Sequence, residues 1–133
     1  MTVSTMAFIN LPVADLARST EFFVALGYRI NPQFTDDNAV SVVISDEIVV
    51  MLLLKPFFAT FTPTPIAEGV TEVLLGISAG SRGAVDTLVD AALIAGATEY
   101  SEPRDYGTMY QRAFRDLDGH HWEIIWMESG TVG

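Results

Sequence analysis

Apolar residues alternate with polar ones along several short stretches of the chain, and along two longer stretches they recur with helical spacing. Alternation with period two is typical of β-strands, whereas recurrence every three or four residues is typical of amphipathic helices. The pattern predicts strands at 6–13, 28–34, 39–44 and 48–54 with a helix at 16–26, and then strands at 72–78, 98–101, 110–116 and 121–127 with a helix at 82–95.

Each predicted helix is flanked by residues suited to begin and end it. Asp15 and Ser81 precede the helices, where a side-chain oxygen can accept a hydrogen bond from a free backbone N–H group. Gly27 and Gly96 follow the helices, and glycine readily adopts the left-handed conformation that ends a helix.

The order strand–helix–strand–strand–strand therefore occurs twice, although the residues of the two halves barely resemble each other. A repeated order of elements indicates internal duplication. At 133 residues the chain has the length of one ordinary domain. We expect repeat one at about 5–55, a proline-containing linker with one short helix at 56–69, and repeat two at about 70–128.

The last two predicted strands are joined by Asp118-Gly119, a pair that favours a hairpin turn. In the strand after this turn, Glu123 shares one face with His121, opposite the face of Trp122. A carboxylate in such an apolar strand is costly to bury unless a metal ion, a cation or a hydrogen-bond donor receives it. Glu123 is therefore the first candidate for chemistry, and the alternative is a cross-strand ion pair with Arg112 or Arg115.

Composition and charge exclude several classes of function. The net charge of −10, from 17 acidic and 7 basic residues, argues against binding nucleic acid, whose phosphates require a basic face. The longest uninterrupted apolar run, at 48–54, is far shorter than the roughly 20 residues that span a bilayer. The chain has no cysteine, which removes disulfides and thiolate metal sites. No charged segment precedes an apolar run near residue 1, so we expect a cytoplasmic protein.

Three motifs carry a resemblance to a known family. Asn10-Leu-Pro-Val-Ala-Asp-Leu, the helix end Phe22-Phe23…Leu26-Gly27, and Asp116-Leu-Asp-Gly-His-His-Trp-Glu together resemble the vicinal oxygen chelate superfamily. That superfamily includes glyoxalase I, extradiol dioxygenases, fosfomycin resistance enzymes and bleomycin resistance proteins. The run Asn31-Pro-Gln-Phe-Thr-Asp-Asp is similar to a glyoxalase-like branch labelled "predicted lactoylglutathione lyase".

The resemblance covers essentially the whole chain and implies an α+β fold. In this glyoxalase/bleomycin-resistance/dioxygenase fold, two βαβββ repeats form a cup of curved mixed sheet, and most members are homodimers. In the metal-dependent members, ligands lie on the first and last strand of each half, and a divalent ion chelates two vicinal oxygens of the substrate.

The resemblance places those four ligand positions at Phe8, Met51, Glu72 and Glu123. Phenylalanine and methionine are not ligands for a hard divalent ion, although Asn10 could replace Phe8 as an oxygen ligand and His121 could add an imidazole. The implied metal site is therefore a partly degenerate one of Glu72, Glu123 and His121. Its ion would be nickel, zinc, manganese, cobalt or iron, loosely bound or absent, with Glu123 as the catalytic residue.

The resemblance and the strand parity also outline a ligand pocket. Its predicted members are side chains of the cup face and of an aromatic stretch before the penultimate strand: Phe8, Asn10, Met51, Tyr106 and Tyr110. Tyrosine hydroxyls there could donate hydrogen bonds to a substrate oxygen. The alternative for the tyrosines is a packed loop or a dimer contact.

Two functions from different classes remain open at this stage. The first is a metal-dependent lyase or isomerase of the lactoylglutathione lyase type, acting on a small oxygenated metabolite or a thiol adduct. The second is a metal-free protein that binds or sequesters a small molecule, as bleomycin resistance proteins do. An apolar cup in an acidic protein suits an amphipathic cationic ligand. A structural module without catalysis is a third interpretation, which leaves Glu123 without a role.

We predict that the working unit is a homodimer. Half of the residues are apolar, more than two helices can cover on a cup of strands, and exposed apolar patches of that size usually mark interfaces. Sedimentation velocity at micromolar concentration should show a dimer. Sedimentation as a monomer alone would contradict the prediction.

Overall fold

The same five-element order is found twice in the computed structural model, which describes residues 3–129. The chain divides into two units between Glu68 and Gly69. The first unit contains β1 (Ala7–Val13), α1 (Leu16–Ala25), β2 (Arg29–Ile30), β3 (Ala39–Val43), β4 (Ile48–Leu54) and a short helix, α2 (Lys55–Phe58). The second contains β5 (Leu74–Ser78), α3 (Arg82–Ile94), β6 (Arg104–Asp105), β7 (Met109–Arg115) and β8 (His121–Met127).

Each unit forms its own four-stranded mixed sheet with the same connectivity. The strand orders are β1-β4-β3-β2 and β5-β8-β7-β6. The first strand of each unit lies parallel to the last, and the remaining pairs are antiparallel. The sequence-based prediction of an α+β fold with two βαβββ repeats is confirmed.

The predicted helix ends are also confirmed. Asp15 Oδ1 accepts a hydrogen bond from the Arg18 backbone N–H at 3.0 Å, and Ser81 Oγ accepts one from Ala84 at 3.0 Å. Gly96 has a φ of +113°, and a Cβ added there would lie 2.9 Å from Leu117 Cδ2. The left-handed backbone therefore favours glycine at the end of α3, and a larger residue would also have to displace the tip of the Leu117 side chain.

One face of each sheet packs on the helix of its own unit. In the first unit, Val42, Val50 and Leu52 are fully buried on that face, together with Phe22 and Phe23 of α1. In the second unit, the buried residues of this face and of α3 include Phe114, Trp122, Ile124, Val85 and Val89. The Trp122 face of β8 is therefore core, as the alternation predicted, and the candidate site residues Phe8, Met51 and Glu123 belong to the opposite faces.

Two predicted strands are wrong in part. Of 28–34, only Arg29–Ile30 is strand, because Asn31 caps a 3₁₀ turn, Pro32–Phe34, by accepting from Gln33 N–H at 3.0 Å. Of 98–101, only Thr98 pairs, in an isolated bridge with Arg115. The second strand of the second unit lies instead at Arg104–Asp105, in the stretch predicted to be a loop.

The other differences from the predicted elements are smaller. The linker contains α2 and a 3₁₀ turn, Ala59–Phe61. Strand β5 begins at Leu74, which leaves Glu72 exposed before the strand. Among the helices of residues 3–129, none has the length and apolar character needed to cross a membrane.

A buried carboxylate fixes the loop between β7 and β8. Asp116 Oδ1 accepts hydrogen bonds from the backbone N–H groups of Asp118 and His120, each at 3.0 Å. Asp116 Oδ2 accepts from the indole Nε1 of Trp122 at 2.9 Å. The side chain thus ties the Asp118-Gly119 turn to the core tryptophan. Burial raises the pKa of the Asp116 carboxyl above its ordinary value.

We predict that Asp116→Asn destabilises the fold by about 1–3 kcal/mol, because asparagine has only one accepting oxygen and its NH2 group must then face either Trp122 Nε1 or the two backbone N–H groups. A carboxyl whose pKa is raised by folding contributes stability that is complete below its unfolded pKa and is lost as pH rises through its folded pKa. The difference in the free energy of unfolding between the wild type and Asp116→Asn should therefore shrink as pH rises from about 4 toward neutrality. Urea unfolding at several pH values measures it, with the exposed Asp37→Asn as control. A growing advantage would contradict the assignment.

Candidate functional site

The open face of the first sheet, opposite α1, carries a pocket of about 370 Å³. Its centre is one cross-strand row, in which Arg29 pairs with Val43, Val43 with Val49, and Val49 with Phe8. The row spans all four strands of the sheet. The full lining is Met6, Phe8, Arg29, Asn31, Phe34, Ser41, Val43, Ser45, Asp46, Val49 and Met51.

The apolar side chains of this pocket are unusually open to solvent. Phe8 is 62% exposed and Phe34 is 60% exposed, although both are large aromatic residues. Met6 is also exposed, whereas Val49 and Met51 are half-buried in β4. Grouped apolar exposure of this kind marks a surface that binds something.

Polar side chains are placed among these apolar ones. Ser41 is buried, and its backbone carbonyl accepts from Asn31 N–H at 2.9 Å, which joins the end of β2 to β3. Asn31 Oδ1 is already occupied by Gln33 N–H, so the Asn31 amide group offers the pocket its donors. Arg29 is exposed and forms no ion pair with any residue from 3 to 129.

Glu123 lies on the open face of the second sheet, between Gly76 of β5 and Ala113 of β7. It is half-buried, and its Oε2 accepts a hydrogen bond from Gln111 Nε2 at 3.1 Å. Within the described part of the chain it forms no ion pair. The arrangement leaves a carboxylate held by a neutral donor on the open face of the second sheet.

The alternative of an ion pair between Glu123 and a β7 arginine is wrong. Arg112 faces α3, where it binds Asp86 at 3.1 Å, Asp90 at 2.9 Å and Glu99 at 2.9 Å. The other candidate, Arg115, lies over the ring of Tyr100. The distance from its guanidinium carbon to the ring centroid is 5.6 Å.

Tyr110 lies on the helix face of its sheet, opposite Glu123. Its hydroxyl donates to Asp86 Oδ1 at 2.7 Å. That hydrogen bond to a carboxylate raises the pKa of Tyr110 and lowers that of Asp86. Tyr106 is 60% exposed in the loop before β7. Neither tyrosine lines the pocket of the first sheet.

His121 contacts neighbours other than Glu123. Its Nδ1 lies 3.3 Å from Thr71 Oγ1, and its ring packs edge-on against Tyr100 with 4.7 Å between centroids. Burial raises the pKa of the Tyr100 hydroxyl, and the nearby negative charge of Glu123 raises it further. Tyr100 therefore stays protonated at neutral pH beside Glu123, which makes it a hydrogen-bond donor on this face.

Comparison with known proteins agrees with the fold. Residues 5–45 match the family model described as bleomycin resistance protein-like N-terminal. The hypothetical protein SA1046 from S. aureus is 31% identical, with 95% of each chain covered and a TM-score of 0.79. The chain belongs to the glyoxalase/bleomycin resistance protein/dioxygenase superfamily. The predicted resemblance to the vicinal oxygen chelate superfamily is thereby confirmed.

More distant members share the fold alone. A glyoxalase/bleomycin resistance protein/dioxygenase family enzyme from Burkholderia phytofirmans is 19% identical over 90% of this chain and 96% of its own, with a TM-score of 0.77. A glyoxalase-related enzyme from Fulvimarina pelagi is 20% identical over 91% and 86%, with a TM-score of 0.78. No functionally curated protein matches the chain significantly.

The sheet register corrects the ligand position assigned to Glu72. In the first unit Phe8 pairs with Val49, two residues before Met51. In the second unit the corresponding pair is Leu74 with His121, two residues before Glu123. Leu74 therefore occupies the position that Phe8 occupies in the first unit. Glu72 is two residues further back, exposed and outside the strand. A shift of two residues along a strand leaves a side chain on the same face of the sheet but moves it along the strand by one full period of the alternation.

The residues present do not fit the divalent ion that the superfamily implies. Of the described residues, no three histidine, aspartate or glutamate side chains are placed to hold a metal ion together. Glu72 is displaced from the ligand position, and His121 packs against Tyr100 and Thr71. A carboxylate and one imidazole fall short of the three or four protein ligands of zinc sites.

The pocket contains some of the predicted residues and several that the prediction missed. Phe8 and Met51 both line it. Asn10 pairs with Met51 in the sheet but is not part of the lining. Arg29 and Ser41 were missed. The alternation of residues 39–43 places Ser41 on the open face. The position of Arg29 depends on its pairing with Val43, which involves a strand of only two residues.

We predict that Glu123→Gln changes the free energy of unfolding by less than about 1 kcal/mol, because the glutamine carbonyl can still accept from Gln111 Nε2. Titration calorimetry with Ni²⁺, Zn²⁺, Mn²⁺ and Co²⁺ should detect no difference in metal affinity between the variant and the wild type. Stoichiometric binding by the wild type that is lost in Glu123→Gln would show that the donor set is more complete than this geometry indicates.

Proposed function

We propose that this protein binds a small organic molecule in the pocket of the first sheet, without a metal ion, in the manner of a bleomycin resistance protein. The single observation that carries the proposal is the pocket itself. Its volume of about 370 Å³ falls in the range of about 300–1,000 Å³ that is usual for ligand sites. Its lining combines aromatic and aliphatic side chains with a few polar groups.

The positions of Phe8 and Met51 support binding in preference to metal chemistry at this face. The superfamily resemblance assigns both positions to ligands in metal-dependent members, yet here both are apolar and line the pocket. Their side chains offer a ligand contact area and exclude water. They offer no oxygen or imidazole to a divalent ion.

The family match supports the same proposal. The matched residues 5–45 include most of the lining, among them Phe8, Arg29, Phe34 and Ser41. The segment that resembles bleomycin resistance proteins is thus the segment that builds the pocket. The remaining lining residues are supplied by the β3–β4 turn and β4.

A second candidate function is a lyase or isomerase step at Glu123. The observation in its favour is a half-buried carboxylate, on an open sheet face, without an ion pair to any described residue. Such a carboxylate can act as a general base toward a bound carbon or oxygen acid. Tyr100 could supply a hydrogen bond to the resulting oxyanion.

We predict that Val49→Phe, which inserts a ring into the centre of the pocket, weakens binding of neutral 1-naphthylmethanol by about tenfold or more. Val24→Phe is the matched control, because Val24 is exposed on α1 and does not line the pocket. Two-dimensional NMR of labelled protein gives both the affinity and the location. Binding should shift signals of the lining residues in the wild type and in Val24→Phe. Equal affinity in all three proteins, or shifts confined to the second unit, would contradict the proposal.

A further inference from the structure

Arg29 occupies a special place in the pocket of the first sheet. It pairs with Val43 across β2 and β3, in the row that crosses the whole sheet to Phe8. It is the one basic residue among the side chains that line this pocket. The whole chain has only 7 basic residues against 17 acidic ones.

Two arginines of the second unit are neutralised within that unit. Arg82 binds both carboxylate oxygens of Asp105, at 2.7 and 2.9 Å. Arg112 is surrounded by three carboxylates on the helix face. Arg29, like Arg18, Arg104 and Arg115, has no such partner in residues 3–129. What distinguishes Arg29 from these three is its place in the lining of the pocket.

The polar groups near Arg29 are mainly donors. Asn31 follows on the same strand edge and has its amide N–H groups available, because its Oδ1 accepts from Gln33. Ser41 brings a hydroxyl to the same lining. The opposing group is Asp46, an exposed carboxylate in the β3–β4 turn, which lies at the pocket without forming an ion pair with Arg29.

The charge of a ligand in this pocket therefore matters. A neutral or cationic ligand that covers Arg29 removes water from the guanidinium and provides no counter-charge, which is unfavourable. A carboxylate or another oxyanion can accept two parallel hydrogen bonds from the guanidinium and replace that water. We propose that the ligand of this pocket carries an oxyanion that pairs with Arg29, attached to an apolar body that packs on Phe8, Phe34 and Met51.

This inference rests on the proposed function and reverses the ligand charge that the composition suggested. A net charge of −10 favours a cationic ligand only if the whole surface acts on it. At physiological ionic strength, exposed charges more than about 8 Å apart are largely screened from each other. The guanidinium inside the pocket then outweighs carboxylates elsewhere on the chain.

Three naphthalene derivatives that differ only in charge test the inference: 1-naphthoate, 1-naphthylmethanol and 1-naphthylmethylammonium. Calorimetry at physiological salt should give the tightest binding for naphthoate and the weakest for the ammonium compound. Arg29→Gln should lower naphthoate affinity by about tenfold, which is typical of losing a charged hydrogen bond. It should not lower the affinity for naphthylmethanol, which gains no counter-charge from the guanidinium. Arg29→Lys should restore part of the loss.

Matched variants separate a local contact from a change in net charge. Arg18→Gln makes the same change of charge at an exposed position of α1 that does not line the pocket, so it should leave all three affinities unchanged. Asp46→Asn removes the opposing carboxylate and should strengthen naphthoate binding. NMR spectra of each variant confirm that the fold is retained and that the probe binds at the first sheet.

The outcomes distinguish this inference from the proposed function. If naphthylmethanol binds in the pocket but naphthoate binds no more tightly, the oxyanion assignment is wrong and the binding function stands. The same conclusion follows if Arg29→Gln and Arg18→Gln weaken naphthoate binding equally. If none of the three probes shifts the signals of the lining residues, the binding function itself fails, and the oxyanion assignment fails with it.

Discussion

The structure depends on the alternation of side chains between the two faces of each sheet. In β3, Val42 is fully buried against the helix side, while its neighbour Ser41 belongs to the open face. A slip of one residue in the pairing of β3 with β4 would exchange these faces and expose the core. Because Val50 and Leu52 cannot leave the core without a large loss of apolar burial, the same constraint fixes Met51 on the pocket side. The pocket is thus a consequence of how the core is packed.

The features that could be predicted from sequence are those that local chemistry determines. Asp15 and Gly96 mark helix ends through a side-chain hydrogen bond and a left-handed backbone, both of which act over a few residues. The Trp122 face of β8 follows from alternation in a single seven-residue strand. Strands β2 and β6 have two residues each, too few for any alternation to appear. Their positions depend on pairing with β3 and β7, which no local pattern reveals.

For the candidate site, the sequence could predict the face of each side chain but not the register of the strands. Alternation could predict that Phe8, Met51 and Glu123 belong to open faces, because it determines the face of each side chain. It could not determine register, since a shift of two residues preserves the face. Glu72 was therefore assigned to a place that Leu74 occupies. Arg29 was missed for a related reason, because it reaches the pocket only through the β2–β3 pairing.

The internal repeat explains how two such different open faces can share one fold. The register places Met51 beside Asn10 and Ser41 in the first unit, and Glu123 beside Gly76 and Ala113 at the same places in the second. Changing a buried helix-face residue leaves a cavity or an overlap that costs about 1–5 kcal/mol. An exposed open-face residue such as Phe8 carries no such penalty and can change its chemistry.

The two units have accordingly kept the same helix-packed architecture while their open faces diverged. One open face presents a guanidinium that has no ion-pair partner among residues 3–129, and the other presents a carboxylate held by a neutral amide. Because the core on each helix side does not depend on these groups, Arg29 and Glu123 can each be replaced with little effect on folding. Their effects on binding can therefore be measured separately from their effects on stability.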